Sequence, residues 1–158
     1  MRKNSQKETD RPVLAILRIA IGWLFFYAGI TKLLEPGWSA KGFLLSQSQG
    51  LFKSMFVAMA GSAVVDWLVM LGLTLIGAAL ILGVLTRFAS FWGIVIMVLF
   101  YLPTFPPEHG FVDEHIIYAI VLAYFIAVKA GKYFGIDKYI EHSDIFWKHQ
   151  KWLRYFFG

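Results

Sequence analysis

The chain has 158 residues, 58% of them hydrophobic and 18% aromatic, and its mean hydropathy is +0.62. A soluble domain of this length does not hold so much apolar surface, so composition places the chain among integral membrane proteins. It has no cysteine, which excludes disulfides, thiolate catalysis and Fe–S ligation by its own side chains. Its net charge of +5 comes from cations that flank apolar runs. That pattern indicates orientation in a lipid bilayer and attraction to anionic headgroups, with no nucleic-acid partner.

Residues 1–11 are polar, with Arg2, Lys3, Lys7 and Arg11 set against Glu8 and Asp10. The lead is too long and too acidic for a signal peptide, and the apolar run behind it reaches Leu34 without a clean cleavage site. The expectation is a retained cytoplasmic tail followed by a first span from about Pro12 to Leu34. Within Leu17–Trp38, LRIAIGWLFFYAGITKLLEPGW, positions 18, 22, 25, 29 and 32 share one helical face. That face carries Arg18 near one end and Lys32 near the other, about 21 Å apart at the α-helical rise. Gly22 and Gly29 lie between them and let a neighbouring backbone come close.

Glu35-Pro36-Gly37 stops the helix. Lys41–Gly61 mixes Phe43, Leu44, Leu45, Leu51, Phe52, Met55 and Phe56 with Ser, Gln and Lys53, too polar a blend to cross. An amphipathic segment that lies in the outer interface, or dips back into the bundle, fits it. Asp66 precedes a second span, Trp67–Leu85, of bilayer length. Thr86-Arg87 reads as a short turn, with a third span from Phe88 to Leu102 and a stop at Pro103, Pro106 and Pro107. Asp113-Glu114-His115 opens a fourth span that runs to about Ala130. The fold class is therefore all-α integral membrane: a four-helix membrane domain over 12–134, followed over 135–158 by a basic, aromatic interfacial helix. The cations of the tail, Arg87, Lys129 and Lys132 put both termini on the cytoplasmic side of a plasma membrane.

An ionisable group at depth costs roughly 2.5 kcal/mol or more, so each one needs a reason. Folding the spans gives two layers. Lys32, Asp66, Asp113, Glu114 and His115 lie towards the outer surface, and Arg18 and Arg87 towards the inner. The outer layer has both signs and a histidine, which suits proton transfer or a small polar group. The inner layer suits an anion or a lipid headgroup. Structural readings compete at each position: Lys32 can snorkel, Asp66 can cap its helix or pair with Lys32, and Arg87 can set topology. One of Asp113 and Glu114 suits the macrodipole of a helix start. Tyr27, Trp38 and Tyr118 either belong to interfacial belts or line a pocket for a ring. His109, His115, His142 and His149 are not paired on spans, and no metal-ligand spacing is present.

The stretches LRIAIGWLFFYAGITKLLEP, PGWSAKGFL, IGAALILGVLTRFAS and VDEHIIYAIVLAYFIAVKAGKYFGIDKYI, in this order, resemble the DoxX/DoxD family of small four-helix membrane proteins. The resemblance implies a bundle in the cytoplasmic membrane whose polar positions are Arg18, Lys32, Asp66, Arg87 and His115. DoxD-type members are subunits of a thiosulfate:quinone oxidoreductase, which implies a membrane quinone as cofactor. On that reading His115 or Glu114 exchanges protons, and Lys32 stabilises negative charge on a quinone oxygen. Arg18, Asp66, Arg87, Tyr27, Trp38 and Tyr118 then complete the binding surface. No flavin- or nucleotide-binding motif is visible, so a second subunit would carry any redox centre for the sulfur step. The alternative is a non-catalytic anchor or assembly partner, or a homo-oligomer, that contacts other proteins through the outer segment and the C-terminal helix.

Overall fold

The computed structural model describes residues 2–105 and 110–141, and no strand occurs among them. The interfacial helix expected over 135–158 lies outside the described residues beyond Glu141, as do His109, His142 and His149. Among the described residues seven α-helices run in chain order: α1 (Arg2–Leu34), α2 (Lys41–Gln47), α3 (Lys53–Ala58), α4 (Ala63–Leu82), α5 (Thr86–Tyr101), α6 (Glu114–Val128) and α7 (Asp137–Glu141). Single 3-10 turns follow α2, α5 and α6, at Gly50–Phe52, Leu102–Thr104 and Ala130–Lys132.

Among the described residues three stretches are long and apolar enough to cross a bilayer: Arg11–Leu34, Ala63–Leu82 and Thr86–Thr104. α6 is equally apolar but has only 15 residues. It is about 22 Å long, short of the roughly 30 Å hydrocarbon core. Its end is set by Lys129, which turns left-handed at φ 54° and caps the last turn with its N–H. The expected span to Ala130 is thus shorter than the sequence suggests. At the other end of the chain, the backbone of the polar lead continues α1 from Arg2 and passes through Pro12.

The connection between α4 and α5 also sits elsewhere than expected. It is Gly83–Leu85, and Thr86 and Arg87 are already the first residues of α5. Gly83 takes the left-handed conformation that ends a helix (φ 66°), and Leu85 is left-handed as well (φ 50°). The Asp137 carboxylate accepts from the N–H groups of Leu85 at 2.8 Å and Thr86 at 3.0 Å. It satisfies donors that the start of α5 would otherwise leave open. The residue that positions the turn is 51 places further along the chain.

Within lipid the hydrophobic effect does little to hold helices together, so close packing must. α1 and α4 achieve it at Gly22 and Gly77. A Cβ on Gly77 would run into the backbone nitrogen of Phe26, and one on Gly22 would lie 2.9 Å from the Ile81 nitrogen. Ile21 and Phe25 from α1, Leu73, Ile76 and Leu80 from α4, Ala89 and Met97 from α5, and Leu122 and Phe125 from α6 form the core. A second cluster of Ala40, Leu44 and Phe56, backed by Trp38, Val65 and Leu102, seats α2 and α3 across the end of the bundle that holds Lys32. These two short helices occupy the stretch expected to be amphipathic.

Candidate functional site

The end of the bundle that holds Lys32 and His115 bounds a half-open cavity of about 440 Å³, on the side that the cation pattern makes the expected outer one. α1 and the loop behind it contribute Lys32, Trp38, Ser39 and Ala40; α2 and α3 roof it with Phe43, Leu44, Phe56 and Met59. Val65, Leu68 and Val69 of α4, and Ile96, Leu99 and Phe100 of α5, form apolar walls, and His115 of α6 completes them. Among the described lining residues, Lys32 and His115 are the two titratable ones.

Lys32 is half-buried at the last turn of α1. Its Nζ donates to the Ala28 carbonyl at 3.0 Å and lies 5.6 Å from the centre of the Trp38 ring. An ammonium has three N–H donors, so this bond leaves two for a ligand, while the Trp38 face favours the charge. His115 is held from both sides. Its Nδ1 is 2.7 Å from Oδ2 of Asp113, and its ring stands edge-on to Phe100. A carboxylate can only accept, so Nδ1 carries the hydrogen and Nε2 becomes the exchangeable position.

Asp113 does two things. Oδ2 fixes His115, while Oδ1 accepts the Ile116 N–H at 3.1 Å as the N-cap of α6. Burial pushes its carboxyl up, but the hydrogen bond with His115 and that from Ile116 outweigh burial and hold it below the ordinary carboxylate range. Of the two acids before α6, Asp113 is therefore the helix cap, and Glu114 is exposed in the first turn.

The remaining candidates are placed as follows. Asp66 is beside the cavity, where its Oδ1 accepts the Ala40 N–H at 2.8 Å; it ties α4 to the start of α2 and makes no ion pair with Lys32. Tyr27 is 58% exposed on the outside of α1, stacked on Trp23. Tyr118 packs against the central core. Arg18 and Arg87 are at the opposite end of the bundle from the cavity. Arg18 is fully buried, and its guanidinium donates to the carbonyls of Ala130 (2.8 Å), Tyr133 (3.1 Å) and Phe134 (3.2 Å). Gly83 and Gly135 lie against it: a Cβ on either would come within 2.8 Å of Arg18 Nη1. The structure thus brings Lys32, Trp38 and His115 together at one cavity, with Asp66 bonded to its lining residue Ala40, while Glu114 is not among the lining residues. Tyr27, Tyr118, Arg18 and Arg87 lie away from it.

Two residues that carry much of this geometry were not singled out as site residues in the sequence. Asp113 sits in the same acidic pair as Glu114, and only the cap geometry separates them. Asp137 is fully buried in the Gly131-x3-Gly135-x-Asp137 pattern, and that spacing of two glycines before an acid was the available signal.

Residues 13–104, more than half of the chain, match the DoxX family. The chain belongs to the DoxX family. It is a membrane protein whose apolar helices sit in a lipid bilayer. No curated protein and no solved structure shows significant similarity to this DoxX protein. The matched stretch supplies every described lining residue of the outer cavity except His115, so the DoxX portion builds the walls and α6 adds the imidazole.

Proposed function

We propose that this DoxX protein is the quinone-binding membrane subunit of an oxidoreductase that draws electrons from an inorganic sulfur compound such as thiosulfate. The observation that carries the reading is the outer cavity. Its 440 Å³ falls in the range of small-molecule sites, roughly 300–1,000 Å³. Its walls are apolar and aromatic, as a ring requires, and Lys32 and His115 supply the few polar contacts that orient one. A bound quinone supplies an acceptor for two electrons and two protons. Two thiosulfates release two electrons when they join through a new S–S bond as tetrathionate, so the exchange balances. The sulfur donor rests on the resemblance to DoxD-type subunits. The chain has no cysteine or nucleotide-binding motif, so a partner subunit would house that half of the reaction.

The chain's own residues have definite tasks. Lys32 Nζ donates to a ring oxygen and favours negative charge there. His115 gives or takes a proton at Nε2, while Asp113 holds Nδ1 and stabilises the imidazolium. Phe100 and Trp38 keep water from the ring. In this arrangement α6 is the fourth crossing, and both termini face the cytoplasm of the plasma membrane.

Solvent extraction of gently purified protein, with bound quinone counted by mass spectrometry, tests the reading. Near-stoichiometric quinone is expected in the wild type. Losing a charge-assisted hydrogen bond costs about 1.5–3 kcal/mol, so Lys32→Met should weaken retention about ten- to a hundredfold. Full retention in both Lys32→Met and His115→Ala would place any quinone elsewhere. A stoichiometric protein partner with no quinone would favour the anchor reading instead.

A further inference from the structure

The cavity is not walled equally on all sides. Its polar groups come from α1 and α6, whereas α4 and α5 meet it with residues that also face outward. Leu68 of α4 is 66% exposed and Leu99 of α5 is 46% exposed, yet both line the cavity; Phe43 (40%) and Met59 (38%) of the roof are exposed too, but they lie at the end of the bundle, whereas Leu68 and Leu99 lie on the long apolar helices. The two helices are pinned together at the inner end by Gly83–Leu85. Further out, a Cβ on Gly93 would lie 3.5 Å from Ile76, and one on Gly72 would lie 2.9 Å from Ile96. One helical step outward from that second contact, the same faces present Leu68 and Val69 on α4, and Leu99 and Phe100 on α5. All four line the cavity. So α4 and α5 touch along their inner halves, and at the level of the cavity their facing residues line it. The outward surface beside them is also apolar, with Val64, Trp67, Leu71 and Val98 exposed. It opens towards acyl chains.

We infer that the gap between Leu68 and Leu99 is a lateral portal through which the ligand enters from the bilayer, and that the ligand is a quinone with a long isoprenoid tail. The tail lies between α4 and α5 and runs into the lipid while the ring reaches Lys32 and His115. This rests on the quinone reading and adds to it a route and a chain length. A tail-less ring would use the same polar contacts but leave the α4–α5 gap empty. The tailed ligand gains further apolar contact along Leu68 and Leu99 and needs no passage through water.

The experiment is a pair of titrations read by native mass spectrometry. The probes are a benzoquinone ring with a multi-isoprene tail and the same ring with a methyl group in place of the tail. They are compared in wild type, Leu68→Trp, Leu99→Trp and Lys32→Met. The expected result is that either Trp variant weakens the tailed probe about tenfold or more and changes the tail-less probe less than about twofold. Lys32→Met should weaken both. Indifference of both probes to the Trp variants, or equal weakening of both, overturns the portal; a loss on Lys32→Met still leaves the quinone site standing. Failure of the tailed probe to bind wild type saturably overturns the quinone reading and the portal with it. A diazirine at the end of the tail gives an independent readout, because ultraviolet light should attach it to peptides of α4 or α5. Attachment confined to α1 or α6 would also overturn the route.

Discussion

Arg18 shows how a charge is kept inside an apolar helix: carbonyl oxygens fan around its guanidinium, two bonded at Nη1 and one at Nη2. Those bonds hold a segment that includes two left-handed non-glycine residues, Lys129 and Phe134, each an uphill conformation by about 1–3 kcal/mol. Arg18→Met should strand three carbonyls and lower the melting midpoint in detergent by roughly 10 °C. Arg18→Lys should recover less than half of that loss, since a single ammonium lacks the planar fork. A lysine variant that melts like wild type would refute the role. Asp113 makes the second residue-scale prediction. Its carboxyl is held below the ordinary range, so what it contributes is fully present above about pH 4 and is lost as pH falls through the lower folded value. Acid titration of thermal stability should therefore show a steeper loss below about pH 4 in wild type than in Asp113→Asn. Parallel curves would mean that the carboxylate contributes nothing as a charge.

At the scale of elements, the α1–α4 crossing depends on the absence of side chains. Gly77→Leu would push a branched group into the Phe26 backbone, which cannot yield without parting the helices. A loss of about 3 kcal/mol or more is expected in equilibrium unfolding, against well under 1 kcal/mol for the exposed Leu75→Ala on the lipid side of the same helix. The glycine face of α1 could be read directly from the sequence, because small residues at helical spacing specify a contact whatever the partner is. So could the outer amphipathic segment, whose apolar and polar residues alternate too closely for a crossing. Element boundaries were harder to read. Thr86-Arg87 looked like the turn because polar residues usually mark one, whereas Asp137 recruits Leu85 and Thr86 from far along the chain. Local sequence carries no trace of that bond. The same limit applies to the site: Lys32, Trp38 and His115 were recognisable one by one. Their convergence depends on how α1 and α6 pack, as does the placement of Tyr27 towards lipid.

At the scale of the molecule, the two ends of the bundle have separate tasks. One end is hollow and carries Lys32 and His115; the other is filled by Arg18, Asp137 and the backbone that they hold. Topology can be tested cleanly because the native chain has no cysteine. A cysteine replacing Ser54, exposed on α3, should react with an impermeant maleimide from outside the cell. One replacing Phe134, which is 74% exposed, should react only after permeabilisation. The reverse pattern would invert the orientation and with it the assignment of the cavity to the outer face. The long reach of Arg18 also bears on biogenesis. Its first acceptor, the Ala130 carbonyl, is 112 residues downstream, so at about 5–20 residues per second a ribosome takes on the order of 10 s to deliver it. Throughout that interval Arg18 lacks the three carbonyls that hold it in the finished fold. The expected consequence is a nascent helix that stays beside the insertion machinery or near the headgroups until the end of α6 arrives. A chain cut short before Ala130 would carry that exposed charge permanently, a mark by which membrane quality control could tell an unfinished bundle from a finished one.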